Sequence, residues 1–443
     1  MRSEGAVVFG RKGSGKSAIF FRSADHFSQD SRNIIVDLRP ATHNLSRLRE
    51  ALLDVASAGV YDHTIAAFWQ YIIFVEIVLA LRERALPKAQ NNVQLLQELA
   101  EIEEKLRLDE ATVSGDFTSR LENVVKLLVD AIEAKGTDRA NPAKLTNELF
   151  VKVMPELRRS VQSLSGNVKG IYLLIDDLDK GWPARQVADE DVSTIRHLIE
   201  VLRKIRNDLL AIDVDFRHFL FLRGDIYEQL VRTTSDRGKY NAVQVDWNDP
   251  KQLEFMLRLR VEASVGEAHA HEAWNAIDTK VDGAGSSVSQ MIEYSLRRPR
   301  FLIELCERVI STAVNRGHVA VTTDDMDEAL RQMSLYLVSD FGYEMRDVTG
   351  ISEDILYTFI GQPEKLSHGA VVALLSDVVS SDEIERAIDT LLWYGVLGVW
   401  KSGTPKFIYD LSYDFRRLLA ERPRNSGARE YSVNPAFVRG LNG

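Results

Sequence analysis

Residues 10–17 read Gly-Arg-Lys-Gly-Ser-Gly-Lys-Ser, and this stretch decides the fold of the chain. It fits the pattern G-x-x-x-x-G-K-[ST], and it lies between the apolar run Ala6–Gly10 and a helix-like run that begins at Ser17. Glycines let backbone N–H groups curl around phosphate oxygens, and the amino end of a helix adds a favourable dipole. A chance glycine-rich turn is the alternative, but it does not require this order of strand, loop and helix. We therefore expect a phosphate-binding loop made of Gly10, Arg11, Lys12, Gly13, Ser14, Gly15, Lys16 and Ser17.

Short apolar runs alternate with helix-like segments in the first part of the chain. Near-continuous apolar strands that alternate with helices are typical of a parallel sheet that is covered on both faces. The fold class is therefore α/β. Strands are expected at Ala6–Gly10, Ile34–Leu38, Ile171–Ile175, His218–Leu222 and Ala242–Val245.

An acidic cluster, Asp176, Asp177 and Asp179, follows the third of these runs. Ligands bind at the carboxyl edge of such sheets, which also carries the phosphate-binding loop. Asp176 is then placed to hold Mg²⁺ through water, and Asp177 to orient or deprotonate an attacking water. In the same scheme Lys16 reaches the β and γ phosphates and Ser17 ligates Mg²⁺. For the cluster alone, a solvated acidic loop is the alternative.

Two motifs resemble those of a known group: the loop at residues 10–17 and the segment Ile-Asp-Asp-Leu-Asp-Lys-Gly-Trp at residues 175–182. The group is that of the bacterial P-loop ATPases related to the KAP and STAND families, and more distantly the origin-recognition branch of AAA+. The resemblance implies ATP and Mg²⁺ as cofactors, ATP hydrolysis, and a sheet order of 5-1-4-3-2. Many AAA+ members have Glu where this chain has Asp177. This shorter base suggests slow turnover and a switch-like use of ATP.

Three arginines resemble residues that sense or complete a nucleotide site in this group. Arg223 directly follows the fourth expected strand, as sensor 1 does, although a salt bridge to Asp225 is the simpler interpretation. Arg300 follows Pro299 at the start of a helix and resembles sensor 2. Arg298 stands there where related proteins have Asn. Arg237, just before the fifth expected strand, is a weaker candidate for a finger that completes a neighbouring subunit's site.

The order of segments predicts three domains. An ATPase core covers residues 1–248, with a helical insertion at about 45–165, and a helical lid follows at 249–345. Helix-like runs then lead into Gly395–Trp400 and Lys406–Leu411, which flank a Gly/Pro turn as a hairpin would. Residues 350–443 are therefore expected to form a winged-helix-like domain.

Composition limits where the protein works. The net charge of −10 disfavours nucleic acid and acidic membranes except at a local basic patch. Cys306 is the only cysteine, and no signal-like segment opens the chain, so we expect a cytoplasmic protein. The apolar run Thr64–Leu81 is interrupted by Gln70 and Glu76, which favours a buried helix over a membrane span.

The function expected from these features is an ATP-driven conformational switch, with prokaryotic defence or stress signalling as its setting. A DNA-associated ATPase that uses the winged helix is the alternative, and a P-loop kinase is a weaker one. We expect an unknown protein partner at the helical insertion and a nucleotide-dependent homo-oligomer. Only five residues precede the first expected strand, so either the lid reads the adenine or the natural chain begins earlier.

Overall fold

The computed structural model describes residues 5–39, 61–106, 149–178, 189–233, 241–281 and 285–442, and five single positions between 115 and 123. The chain divides into two compact units. The first consists of Met1–Arg11, Lys16–Pro183 and Val187–Gln244. The second consists of Lys12–Gly15, Ala184–Gln186 and Val245–Gly443.

The first unit contains a five-stranded parallel sheet. Its strands are β1 Ala6–Gly10, β2 Asn33–Leu38, β3 Gly170–Ile175, β4 Phe216–Arg223 and β5 Ala242–Gln244. Their order is β2-β3-β4-β1-β5, so the predicted order of 5-1-4-3-2 and the predicted α/β class are confirmed. All six residues of β3 are buried, as expected for a strand that is covered on both faces.

Helices cover this sheet. They are α1 Lys16–Ser28, α2 Tyr61–Ala89, α3 Val93–Leu106, α4 Met154–Leu164, α5 Asp189–Leu210 and α6 Gly224–Thr233, with a π-helical turn at Leu149–Val153. The described parts of the predicted insertion are thus helical, and its remaining residues lie outside the described ranges.

The helix α2 is the most apolar element of the first unit. By length and composition its segment Thr64–Ala89 could cross a membrane, but 78% of the most apolar window is buried inside the protein. Its polar residues have partners there. Glu76 accepts a hydrogen bond from the Arg120 guanidinium (Nη2–Oε2 2.7 Å), and Gln70 donates to Asp208 at 3.4 Å. These contacts favour the expected role as a core helix.

The second unit is mainly helical in its first part. Its elements there are α7 Pro250–Val265, α8 Glu267–Ile277, β6 Lys280–Val281, β7 Gly285–Ser286, α9 Ser287–Tyr294, α10 Pro299–Asn315 and α11 Thr323–Thr349. A capping box of Thr322 and Asp325 starts α11, and Gly350 (φ 74°) ends it. This helix therefore continues past residue 345, where the predicted lid ends.

The last part of the second unit contains a four-stranded antiparallel sheet of order β10-β9-β11-β8. Its elements are a 3₁₀ turn Glu353–Phe359, β8 Lys365–Ser367, α12 His368–Leu375, α13 Ile384–Tyr394, β9 Leu397–Lys401, β10 Thr404–Lys406, 3₁₀ turns Ile408–Leu411 and Ser426–Ala428, α14 Phe415–Glu421, β11 Glu430–Val433 and α15 Pro435–Leu441. One hydrophobic core extends from Leu253 to Leu441. The division of this unit into a lid and a winged-helix-like domain stays a prediction.

The strand predicted at Lys406–Leu411 is wrong for the residues after Lys406. The run Lys406–Leu411 was expected to form the second strand of the hairpin, but the strand ends at Lys406 and a 3₁₀ turn follows. The Asp410 carboxylate accepts a hydrogen bond from the Phe407 N–H at 3.0 Å. Such a local bond between a side chain and the backbone competes with the hydrogen bonds between paired strands. In the resulting turn Ile408 is buried.

Candidate functional site

The loop between β1 and α1 adopts backbone angles that suit glycine. Gly13 has φ 80° and Gly15 has φ 94°, a region that residues with a side chain rarely adopt. A Cβ at Gly13 would also lie 3.0 Å from the Arg300 Cβ. Ser14 is buried, and its hydroxyl has no hydrogen-bond partner among the described residues. The loop thus has the left-handed glycines of a tight turn and a buried hydroxyl without a partner among the described residues, which fits the binding of phosphate.

Lys16 opens α1 and folds back over the loop. Its ammonium donates hydrogen bonds to the carbonyl oxygens of Gly10 and Arg11, both at 3.0 Å. These contacts hold the ammonium group beside the first residues of the loop. The arrangement agrees with the role predicted for Lys16, which stays a prediction.

The structure brings the loop and the acidic cluster together. The Ser17 hydroxyl donates a hydrogen bond to Asp176 Oδ2 at 3.0 Å, across 159 positions in the sequence. Asp176 is 5% exposed, and burial raises the pKa of its carboxyl group. A hydroxyl and a carboxylate side by side are the oxygen ligands that Mg²⁺ prefers. Ser17 and Asp176 therefore fit the predicted metal site.

Asp177 has an unusual backbone conformation. Its φ of 64° is left-handed, and its N–H donates to Asp176 Oδ1 at 2.9 Å. A non-glycine residue in this region is strained, and such strain is often found where a side chain must be aimed at a ligand. Asp177 is half-buried. Asp179 lies outside the described residues.

Arg39 is a charged neighbour of the acidic cluster that the sequence analysis missed. It follows β2, whose last residue, Leu38, accepts a hydrogen bond from the Asp176 N–H at 3.1 Å. Two hydrogen bonds with Asp37 (2.8 and 2.7 Å) raise the pKa of Arg39, and the charges of Asp177 and Asp176 raise it further. Its position directly after an expected strand was a signal that could have found it.

Arg223 lies beside the start of the loop. Register pairs it with Gly10 at the ends of β4 and β1. Its guanidinium binds Asp225 in a bidentate way, with distances of 3.2 and 2.6 Å. The simpler interpretation, a salt bridge to Asp225, therefore holds in this structure. The sensor role of Arg223 stays a prediction.

Within the second unit, three consecutive loop residues contact three different segments. Lys12 Nζ lies 2.9 Å from Asp340 Oδ1 in α11, and the Arg300 N–H donates to Gly13 O at 3.3 Å. The Trp247 indole N–H donates to Ser14 O at 2.9 Å, while its ring packs against the core of this unit. The sequence analysis missed Trp247 and Asp340, because only folding brings them to the loop.

The two candidate arginines of the sensor 2 motif have different surroundings. Arg298 is 2% exposed, with Nη1 3.5 Å from Glu344 Oε2 and its guanidinium 4.6 Å from the centre of the Phe341 ring. It therefore supports the core. Arg300 is exposed beside Gly13 and has the freedom to contact a ligand. Its role stays a prediction, and Arg237 lies outside the described residues.

Within the described ranges, no group of three or more His, Cys, Asp or Glu side chains could hold a metal ion. A divalent ion at Ser17 and Asp176 would thus need water and phosphate oxygens to complete its shell. Mg²⁺ is usually bound in this way, through one or two carboxylates and substrate phosphates.

Comparison with known proteins gives two sequence matches. Residues 251–342, which lie in the second unit, match a family described as the FunZ-associated C-terminal helical domain. The putative transposon gamma-delta 80.3 kDa protein of Escherichia coli K12 is 20% identical over 353 residues, which cover 77% of this chain and 47% of that protein. The chain therefore spans about half the length of the curated relative that it matches.

Solved structures of three other proteins resemble the chain loosely. A single-residue variant of RuvB from Thermotoga maritima is 16% identical, with 59% of this chain and 83% of that chain covered and a TM-score of 0.28. Cdc6p of Pyrobaculum aerophilum is 12% identical, with coverages of 94% and 87% and a TM-score of 0.34. Drosophila ORC bound to DNA is 10% identical, with coverages of 97% and 86% and a TM-score of 0.33. Scores of this size do not establish a common fold, so the fold class rests on the sheet order above.

Proposed function

We propose that the chain binds ATP with Mg²⁺, hydrolyses it slowly, and acts as a nucleotide-dependent conformational switch. The observation that carries this proposal is the hydrogen bond between Ser17 and Asp176. It supports the proposal because it brings the loop of residues 10–17 and the Asp176 carboxylate together at the carboxyl edge of one parallel sheet, which is where ligands bind in such folds.

In this proposal each residue of the site has a separate task. Loop N–H groups and Lys16 bind the phosphates, and Ser17 and Asp176 hold Mg²⁺, which when bound offsets the charge of the phosphate oxygens. Asp177 orients the attacking water, and its left-handed backbone conformation (φ 64°) supports a side chain that is directed at a ligand. Arg223 senses the γ-phosphate from its position at the end of β4, beside Gly10.

The contacts of loop residues 12–14 support the switch. Asp340, Arg300 and Trp247 each hold one of these residues from a different segment of the second unit. If phosphate binds one conformation of this loop more tightly than another, its binding shifts the loop toward the first conformation. A change at the loop would therefore reach α10 and α11 directly.

A DNA-associated ATPase is the second candidate. The name of the Escherichia coli relative, a transposon protein, favours it. The polar side chains of α13, the helix that leads into β9, favour an intramolecular role of the winged-helix-like domain instead. Glu385 pairs with His368 and Arg429, and Asp389 pairs with Arg422. We therefore place the DNA role second.

The wider setting belongs to the same proposal. We expect a cytoplasmic protein without membrane association, in prokaryotic defence or stress signalling. A protein partner at the helical insertion and nucleotide-dependent assembly of several copies are also expected. Arg237 would complete a neighbouring site only in such an assembly.

Steady-state ATP hydrolysis tests the proposal. The proteins compared are the wild type, Lys16→Ala, and Lys169→Ala, whose lysine pairs with Asp30 at the surface and serves as a matched control. Hydrolysis lost only in Lys16→Ala, and unchanged by duplex DNA, supports the switch. Strong stimulation by DNA selects the second candidate. A wild type that neither binds nor hydrolyses ATP would overturn both.

A further inference from the structure

A recess of about 140 Å³ lies at the amino ends of the parallel strands in the first unit. Gly5 and Asn241 border it just before β1 and β5, and His218 borders it near the start of β4. The last side of the recess is formed by α5, which contributes Arg203 and Arg206. Since a single water needs about 10–15 Å³ of such space, the recess has room for a tetrahedral oxyanion together with water.

His218 is the unusual residue of this recess. It is 5% exposed, and its buried Nδ1 has no hydrogen-bond partner among the described residues. A buried polar atom without a partner costs about 1–3 kcal/mol, so such atoms in folded proteins call for a ligand or an ordered water. Burial, together with the nearby charges of Arg203 and Arg206, lowers the pKa of His218 to about 4. The ring is therefore neutral, and one nitrogen is available as a donor.

Gly5 packs tightly against His218 on one side of the recess. A Cβ at Gly5 would lie 2.2 Å from His218 O and 2.6 Å from His218 Nδ1, so no larger residue fits there without a shift. Asn241 donates a hydrogen bond to Gly5 O at 3.2 Å and holds this segment in place. Among the described residues that line the recess there is no carboxylate, whereas there are two guanidinium groups.

We propose that this recess binds a small free oxyanion of the phosphate type, which Arg203 and Arg206 attract and His218 Nδ1 contacts as a hydrogen-bond donor. Guanidinium groups suit phosphate because they donate parallel hydrogen bonds to its oxygens. The site lies at the opposite end of β1 from Gly10, so it is separate from the proposed ATP site and does not depend on ATP hydrolysis.

Calorimetric titration with inorganic phosphate at constant ionic strength tests this site. The titration uses the full chain carrying Lys16→Ala, because that substitution weakens phosphate binding at the loop. In this background His218→Phe removes the ring donor, and Arg206→Gln removes one charge without a change at the buried ring. Lys204→Gln is the matched control, since it removes a charge from the same turn of α5 but does not line the recess.

One phosphate per chain is the expected result, with binding weakened about tenfold or more by His218→Phe and by Arg206→Gln, and less than about twofold by Lys204→Gln. Acetate at the same ionic strength is expected to bind at least about tenfold more weakly than phosphate, because one carboxylate makes fewer hydrogen bonds. Undetectable phosphate binding, equal effects of the three substitutions, or equal binding of acetate would overturn the proposal. If His218→Phe fails to fold, Arg206→Gln still decides.

Discussion

The Ser17 hydroxyl donates a hydrogen bond to Asp176 Oδ2 at 3.0 Å, and this bond joins the first turn of α1 to the end of β3. The two oxygens come from residues that lie 159 positions apart in the sequence. A parallel sheet places the ends of β1 and β3 at one edge, which is the physical reason for their meeting.

If Asp176 holds Mg²⁺ as proposed, Asp176→Asn is expected to lower ATP hydrolysis by about 100-fold or more, because the amide keeps the shape of the side chain but not its charge. Steady-state assays across a range of Mg²⁺ concentrations measure this loss. Asp30→Asn is the control, since Asp30 pairs with Arg32 and Lys169 at the surface. Equal rates for the wild type and Asp176→Asn would contradict the assignment.

Trp247→Phe is expected to weaken ATP binding and to lower the free energy of unfolding by about 1 kcal/mol, because it removes the indole N–H that Ser14 O accepts. Most of the ring packing is retained. Nucleotide titration and urea unfolding measure the two effects. Trp400→Phe, at a half-buried position, serves as the control for the loss of an indole. An unchanged affinity for ATP would show that this bond does not position the loop.

Lys12 and Asp340 are expected to be coupled by about 0.5–1 kcal/mol, the range for ion pairs that are partly exposed. A double-mutant cycle of Lys12→Met and Asp340→Asn, followed by thermal unfolding, gives the coupling directly. The coupling should fall as salt is added, because ions screen a pair at this exposure. Additive effects of the two substitutions would mean that the contact contributes nothing.

Arg298→Met is expected to destabilise the protein by about 3–5 kcal/mol, because it leaves the buried Glu344 without this cation. Arg300→Gln should barely change stability but should slow ATP hydrolysis by about tenfold, since Arg300 is exposed beside the loop. Urea unfolding and hydrolysis assays on both variants separate the two roles. A stable Arg298→Met protein, or an Arg300→Gln protein with full activity, would contradict one of them.

Stability is expected to fall in acid through the capping box of α11. Burial alone would raise the pKa of Asp325, but hydrogen bonds from His318, Thr322 and Arg316 lower it to about 2, below its ordinary value of 3.8. The contribution of the carboxylate is therefore complete above pH 3.8 and is lost as the pH falls through about 2. The difference in unfolding free energy between the wild type and Asp325→Asn should shrink across that range. A difference that does not depend on pH would contradict this.

The five strands could be predicted because each is a short apolar run with a clear end. For β1 the predicted and observed bounds coincide at Ala6–Gly10, and the sheet order agrees with the one that the resemblance implied. The run after Lys406 could not be predicted in the same way. Its residues are as apolar as a strand, and only the hydrogen bond from the Phe407 N–H to Asp410 turns the chain.

The sequence alone determined the chemistry of the phosphate loop, because glycine conformation and the following helix are local properties of residues 10–17. Only the tertiary structure decided what surrounds that loop. Asp340 meets Lys12 across 328 positions, and Trp247 meets Ser14 across 233. It also buried Arg298 beside Glu344. Such pairings depend on how whole helices and strands pack. The type of a side chain does not show which distant residue it will contact in the folded protein.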